Sequence, residues 1–112
     1  MPNTNENLGN VAQEMRRGLI MLAVLSQLSK QQYGYALLKL LADKGLEVDQ
    51  GTLYPLLRRL EAQGLLESAW NVEEGRPRRY YLISGEGRKL LPQLKNEWDS
   101  MVTAMGKLLR NS

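Results

Sequence analysis

The stretch that decides the fold is Asp49-Gln50-Gly51-Thr52-Leu53-Tyr54-Pro55-Leu56-Leu57-Arg58-Arg59-Leu60-Glu61-Ala62-Gln63-Gly64. At about 100° per residue, the four leucines of this stretch share one side of a helix, whereas Gly51, Pro55 and Arg58 point away from them. Tyr54 and Arg59 flank the outer side, beside small residues that would let the helix approach a surface closely. The pattern predicts a helix with one face on a core and an outer face that suits a DNA groove.

The same pattern is also typical of an ordinary amphipathic surface helix with two solvated arginines, and this alternative stays open on the stretch alone. Pro55 bears on where the helix begins, since a proline well inside a helix costs roughly 3 kcal/mol but is tolerated in the first turn. We therefore expect Thr52 to be the N-cap after an irregular turn, because an N-cap at Asp49 would leave the proline inside the helix. Gly64 is expected to end the helix in the left-handed conformation.

The composition bounds the class of protein. A chain of 112 residues suffices for one small domain with a thin core, which a second subunit would help to stabilise. The net charge of +3, from 15 basic and 12 acidic residues, is too small to indicate nucleic acid unless the charges are suitably placed. Cysteine and histidine are absent from the sequence, which excludes disulfides, thiolate and imidazole catalysis and the usual zinc sites. We expect no metal, no cofactor and no enzymatic activity.

Membrane and export signals are not expected. The apolar run from Leu19 to Leu25 is too short for a membrane helix, which requires roughly 20 apolar residues. The first residues, from Pro2 to Asn10, are polar and acidic, unlike the basic start of a signal peptide. The sequence therefore predicts a cytoplasmic protein with no membrane segment.

Two helices are predicted before the quoted stretch. Residues 1–10 are rich in asparagine and are expected to be flexible. A helix follows from Val11 and is apolar on almost all sides in its second half, and a shorter helix begins at Tyr33 and ends at Gly45. Two helices joined by a tight turn that contains glycine form the outline of a helix-turn-helix, with the quoted stretch in the reading position.

A β-hairpin with its turn over 73–78 is predicted after the quoted stretch, because residues with high β propensity flank a turn-like segment. Arg76, Arg78 and Arg79 lie at or beside the tip, where a folded core does not require them. Guanidinium groups fixed at a loop tip suit a phosphate backbone or a narrow minor groove. A solvated turn neutralised by the two neighbouring glutamates is the alternative.

A long last helix is predicted from an N-cap at Ser84 to about Leu109. Its apolar residues recur in alternating steps of three and four, which is the seam of a coiled coil over nearly three heptads. We expect the first and last helices of two subunits to pack together, and folding back onto its own domain as a lid is the alternative. The predicted dimer-interface residues are Met15, Leu19, Leu91, Leu94, Trp98, Met101, Val102, Met105 and Leu108.

Three segments carry a resemblance to a known family: Tyr33-Gly34-Tyr35, Gly51 to Glu61 with Gly64 to Glu67, and Gly75 to Ser84 with Gly87. Over roughly residues 16–100 the chain resembles the PadR family of bacterial winged-helix transcriptional regulators, in its compact form with a single C-terminal helix. Family members usually have threonine where Ser84 stands, and serine keeps the capping hydroxyl. The resemblance implies a mainly α fold with a two-stranded β wing. A flexible segment would span 1–10, a winged helix-turn-helix domain 11–84, and a dimerisation helix 85–112.

The resemblance also implies a cytoplasmic homodimer that represses genes at a palindromic operator on double-stranded DNA and is often released by a small molecule. In some small members a tryptophan of the last helix lines a pore between subunits that holds planar aromatic drugs. Trp98 matches it here, with Met15 and Met101 as further candidates for the effector site, and a packing role for Trp98 is the alternative. A protein-binding adaptor without specific DNA binding is the second class of function. The candidate DNA-binding residues are Lys39, Gln50, Gly51, Thr52, Tyr54, Pro55, Arg58 and Arg59 of the helix-turn-helix and Gly75, Arg76 and Arg78 of the wing.

Overall fold

The computed structural model describes residues 4–73 and 75–111. Along them the chain forms three helices with a short strand between the first two, then a β-hairpin and a long last helix. The elements are α1 (Thr4–Gln27), β1 (Gln32–Tyr33), α2 (Gly34–Asp43), α3 (Gln50–Ala62), β2 (Leu66–Glu73), β3 (Arg76–Ile83) and α4 (Gly85–Leu109). This is the mainly helical winged helix-turn-helix fold with a long C-terminal helix that the sequence predicts.

The core lies between the first three helices and the inner end of the hairpin. The leucine face of α3 is buried as its periodicity predicts, with Leu53 and Leu60 completely enclosed. Helices α1 and α2 contribute further aliphatic side chains, and the hairpin closes the core from the other side. The buried residues of this cluster are Ile20, Val24, Leu25, Leu28, Leu37, Leu41, Leu53, Leu56, Leu57, Leu60, Leu66, Tyr81 and Ile83.

The sheet has three antiparallel strands in the order β1-β3-β2, so the predicted two-stranded wing gains a third strand. Strand β1 pairs Gln32 with Tyr81 and Tyr33 with Tyr80. A strand of two residues is too short to show an alternating pattern in the sequence, because recognising the period needs at least four residues. Its effect is to fasten the start of α2 to the middle of the hairpin.

The strands of the hairpin are longer than predicted. Glu73 pairs with Arg76, so both residues lie on strands and the predicted turn over 73–78 is wrong. Gly75 has a φ of 77°, a conformation that costs glycine little and lets strand pairing continue almost to the tip. Pro77 is accommodated because β1 does not extend along this end of β3. Arg76 and Arg78 therefore lie on a strand, while residue 74 lies outside the described residues.

The start of α3 also differs from the prediction. Asp49 is the N-cap, and its Oδ1 accepts a hydrogen bond of 2.7 Å from the Thr52 N–H. The predicted N-cap at Thr52 is wrong because the Asp49 carboxylate stabilises the amino terminus of the helix three residues earlier. Pro55 is then the sixth helical residue and cannot bond the Gly51 carbonyl. Gly51 is exposed, so water can satisfy that carbonyl.

Helix α1 begins at Thr4, so residues 4–10, which belong to the segment predicted to be flexible, are helical. Each added helical residue costs little once a helix has nucleated, so α1 extends to Thr4 although residues 4–10 are exposed. The flexibility of this segment stays a prediction, and residues 1–3 lie outside the described residues.

The start of α4 agrees with the sequence. Ser84 is the N-cap: its Oγ accepts a hydrogen bond of 3.0 Å from the Gly87 N–H and donates one of 2.6 Å to the Gly64 carbonyl. Gly64, with a φ of 81°, follows α3 in the predicted left-handed conformation. At Gly87 an added Cβ would collide with the Leu65 carbonyl, so glycine lets α4 approach the end of α3 closely.

Candidate nucleic-acid interface

The outer side of α3 is available to a partner, as its pattern predicts. Pro55, Arg58 and Arg59 are exposed, and Tyr54 is half-buried. The exposed Gln50 and Gly51 and the half-buried Thr52 form the first turn of the same helix. The leucine face holds the helix on the core, so this outer side is fixed in orientation relative to the rest of the domain.

Tyr54 is positioned by the start of α2. A Cβ added to Gly34 would collide with the Tyr54 ring, so the absence of a side chain at Gly34 makes room for that ring. Strand β1 fixes Gly34 in turn, because Tyr33 pairs with Tyr80 of the wing. The hydrogen-bonded connection between the wing and α2 thus sets the place of a side chain on α3.

An open groove of about 700 Å³ lies between α3 and the wing. It brings together four of the candidate DNA-binding residues, Tyr54, Arg58, Arg76 and Arg78. The other candidates lie outside this groove: Lys39, Gln50, Gly51, Thr52, Pro55, Arg59 and Gly75.

Tyr33, Tyr35 and Trp70 also line this groove, and the sequence prediction did not include them. Trp70 is 67% exposed, although it lies two and four residues beyond Ser68 and Leu66 on the same face of β2. That alternation was the signal for Trp70, because the face that begins in the core continues outward into the groove. Tyr33 and Tyr35 carried no such signal, since β1 is too short to be recognised.

Arg78 is stacked against an aromatic ring. Its guanidinium carbon lies 4.3 Å from the centre of the Tyr33 ring, which in turn meets the Tyr80 ring edge-on at 5.5 Å. Lys39 makes a looser contact of the same kind from α2, with its ammonium 5.8 Å from the centre of the Tyr35 ring. A guanidinium stacked on a ring keeps the N–H groups along its edge available to a phosphate.

Arg79, which the sequence predicts at or beside the tip, has a different role from Arg76 and Arg78. Its Nη2 donates to Glu61 Oε1 of α3 at 2.9 Å, and its Nε donates to Ser68 Oγ at 3.0 Å. Ser68 Oγ donates to the second oxygen of Glu61. The guanidinium is therefore bound to α3 by an ion pair, and this network ties the wing to the helix.

Tyr81 lies beneath the groove. Burial raises the pKa of its hydroxyl above the ordinary value, an effect that the nearby Glu61 carboxylate reinforces and the Arg79 and Arg58 guanidiniums oppose. Its hydroxyl therefore stays protonated and neutral at neutral pH, and does not offset the positive charge of the groove arginines.

A second exposed surface lies on the terminal helices. Met15 is 72% exposed, Met101 is 55% exposed and Trp98 is 37% exposed. Leu91 and Leu94, both predicted for the dimer interface, pack against the core of their own chain. This apolar face therefore begins at Trp98 on α4, and the remaining exposed apolar residues of the two helices are Leu8, Val11, Leu19, Val102, Met105, Leu108 and Leu109.

Within residues 4–73 and 75–111, no group of three or more acidic side chains is placed to hold a metal ion. In the same residues, no helix is long and apolar enough to cross a membrane.

A helix-turn-helix whose second helix faces an arginine-bearing wing across an open groove defines a winged-helix DNA-binding protein. The model of the transcriptional regulator PadR-like family matches residues 21–93. The chain belongs to this family. It is therefore a DNA-binding transcriptional regulator and not an enzyme.

Individual relatives agree in both sequence and fold. A transcriptional regulator from Mycobacterium tuberculosis is 40% identical over 81 residues, which cover 71% of this chain and 76% of the relative. The crystal structure of a PadR family transcriptional regulator from Eggerthella lenta DSM 2243 is 42% identical, with a TM-score of 0.89 and 96% of each chain covered. A PadR-like transcription factor from Bacteroides fragilis is 33% identical, with a TM-score of 0.73, over 88% of this chain and 98% of that chain.

Proposed function

We propose that this protein is a homodimeric repressor that occupies a palindromic operator through the groove between α3 and the wing and is released by a small molecule. The observation that carries the proposal is the convergence of Tyr54 and Arg58 of α3 with Arg76 and Arg78 of the wing on one open groove. Such a protein acts in the cytoplasm, where bacterial DNA is found.

On DNA, α3 enters the major groove and the wing follows the adjacent backbone. Arg58, Arg76 and Arg78 neutralise phosphates, which supplies most of the affinity and makes it steeply dependent on salt. Tyr54 and the small residues of the first turn of α3 approach the base edges, where sequence is read. Lys39 of α2 adds a further phosphate contact.

The dimer rests on the terminal helices. A monomer would leave their methionines, leucines and Trp98 in water, and contiguous apolar surface of this kind is typical of an interface. A two-fold axis between the α4 helices presents two α3 helices, so the half-sites should lie about 34 Å apart, one turn of DNA. Operator symmetry then mirrors the symmetry of the protein.

The effector site is the part of the dimer seam around Trp98, Met15 and Met101. An indole with part of its surface open can stack with a planar aromatic compound, and methionine side chains adapt to its outline. A compound that prefers one spacing of the two α3 helices shifts the population towards that spacing. DNA affinity falls when that spacing does not match the operator.

The test of DNA binding is fluorescence anisotropy with a labelled mixed-sequence duplex of about 30 base pairs, long enough for two half-sites. Arg58→Ala should weaken binding at least several-fold and lower the salt slope by about 0.9 for each phosphate that the variant no longer neutralises. Arg88→Ala removes an exposed arginine from α4, away from the groove, and should leave both quantities unchanged. Equal binding and equal salt slopes for the two variants would refute the claim that the groove binds DNA. The absence of salt-sensitive binding would favour a protein-binding adaptor.

Repression and release need their own experiments. Selection of genomic fragments should return a symmetric site, and a promoter carrying that site should become more active when the protein is deleted.

Planar aromatic compounds should quench the fluorescence of Trp98 in the Trp70→Phe variant, in which Trp98 is the remaining tryptophan. Quenching in Trp98→Ala identical to that in the wild type would refute the effector site.

A further inference from the structure

Tyr33 stands between the wing and the helix-turn-helix. It belongs to β1, pairs with Tyr80 of β3, and is followed directly by the first residue of α2. Its ring is half-buried between the edge of the Tyr80 ring and the guanidinium of Arg78. The sequence prediction did not assign Tyr33 to DNA binding.

The contact between Tyr33 and Arg78 is the closest approach of a cation to a ring among the described residues. The distance is 4.3 Å, against 5.7 Å to 5.9 Å for the other three contacts of this kind. Arg78 is half-buried, whereas Arg58 and Arg76, which line the same groove, are exposed. Arg79 also lines the groove, but Glu61 of α3 holds it in an ion pair, so Arg78 is the groove arginine with the shortest distance to an aromatic ring.

We infer that Tyr33 is a positioning residue, which holds the Arg78 guanidinium ready for a DNA phosphate. This inference rests on the proposed function of the groove. A flexible arginine loses much of its rotamer freedom when it binds, whereas a stacked arginine has lost part of that freedom before DNA arrives. The planar group still offers its edge N–H groups to the phosphate oxygens.

A positioning role has a signature that a direct phosphate contact lacks. The salt slope counts the phosphates that the protein neutralises. If Tyr33 only orients Arg78, its loss weakens binding while the slope stays the same, because Arg78 still reaches its phosphate in the complex. Loss of Arg78 itself lowers both the affinity and the slope.

The experiment compares Tyr33→Leu with Tyr33→Phe, using the mixed-sequence duplex at several salt concentrations. Tyr33→Phe keeps the ring and should bind like the wild type. Tyr33→Leu should bind about three- to tenfold more weakly, the range expected for one partly exposed cation–π contact, with an unchanged slope. Arg78→Ala should lower the slope by about 0.9 for each phosphate left without its arginine, and adding Tyr33→Leu to it should cost nothing more.

Arg78→Lys gives a second test in which Tyr33 itself is unchanged. Lysine keeps the charge but lacks the flat group that stacks and the fork that binds two phosphate oxygens. We expect the affinity to fall at least as far as in Tyr33→Leu, with the slope retained. Binding equal to that of the wild type would overturn the inference.

A measurement without DNA examines the stack itself. In the free protein, the Arg78 Nε–H proton should show a ring-current shift that persists in Tyr33→Phe and disappears in Tyr33→Leu. Loss of affinity in Tyr33→Phe equal to that in Tyr33→Leu would assign the effect to the hydroxyl and overturn the inference. If the wild type does not bind the duplex at all, the proposed function of the groove fails first, and the inference fails with it.

Discussion

The groove and the terminal helices differ in how complete they are within one chain. In the groove, polar contacts inside the domain already orient the side chains: Glu61 and Ser68 hold Arg79, and Tyr33 stacks on Arg78. On the terminal helices, Met15 and Met101 lie more than half exposed. One surface therefore presents charged groups that are already held in place, whereas the other leaves apolar side chains exposed, which the proposed dimer would cover.

The largest effect is expected on the apolar face of α4. Met101→Asp would place a carboxylate from each subunit in the proposed dimer seam. Burying an unpaired charge costs about 3 kcal/mol or more, so the dimer should dissociate at more than a hundredfold higher protein concentration. Sedimentation equilibrium measures this change.

Thr103→Asp is the matched control for this substitution. Thr103 is exposed and lies about 200° around α4 from Met101, on the opposite side of the helix. Its variant should dimerise like the wild type. Indistinguishable dissociation constants for the two variants would contradict the assignment of the seam.

The next largest effect is expected from α3, which recognises the base sequence of the operator in this account. Tyr54→Ala should weaken binding to the selected operator by about 1–3 kcal/mol and binding to mixed-sequence DNA by much less, because a base contact acts on one sequence only. Arg76→Ala should weaken binding to both DNAs by similar factors, because it removes a phosphate contact. Anisotropy titrations with both duplexes give the comparison, and equal losses for Tyr54→Ala would remove Tyr54 from the reading residues.

A smaller effect is expected from the network that ties the wing to α3. Glu61→Gln removes the ion pair with Arg79 and should lower the free energy of unfolding by about 1 kcal/mol, since both side chains are partly exposed. The variant should bind DNA more weakly because the wing is less firmly held, although neither Glu61 nor Arg79 contacts DNA in this account. Urea unfolding and DNA titration measure the two effects, and the dimer should be unaffected.

The smallest effect is expected at the amino terminus of α3. Asp49→Ala removes the acceptor of the Thr52 N–H, and such caps contribute about 1 kcal/mol or less when exposed. Asp49→Asn keeps an acceptor and should retain most of the stability. Thermal unfolding measures both variants. If Asp49→Asn unfolds at a lower temperature than Asp49→Ala, the side chain of residue 49 does not act as a hydrogen-bond acceptor for the helix.

The parts of the fold that depend on local pattern were predictable from the sequence. The leucine face of α3, the cap at Ser84 and the left-handed Gly64 all follow from residues close together in the chain. The predicted N-cap of α3 was wrong, because Asp49 caps the helix three residues earlier and Pro55 is accommodated inside it. In the structure the carbonyl that the proline leaves unbonded belongs to an exposed glycine.

Contacts between distant residues were not predictable in the same way. Glu61 and Arg79 are 18 residues apart, and nothing in either segment indicates that they meet. The pairing of Tyr33 with the wing depends on β1, which is too short for its pattern to be recognised. The sequence predicted which arginines lie at or beside the wing tip, but only the folded chain shows that one of them, Arg79, is held by Glu61 of α3.

The most direct test of the account is the salt dependence of binding to the mixed-sequence duplex. A dimer that applies Lys39, Arg58, Arg76 and Arg78 from each subunit neutralises about eight phosphates, so the slope of log K against log salt should be about −7. A slope near zero, or no binding even in dilute buffer, would contradict the central claim that the groove between α3 and the wing binds DNA.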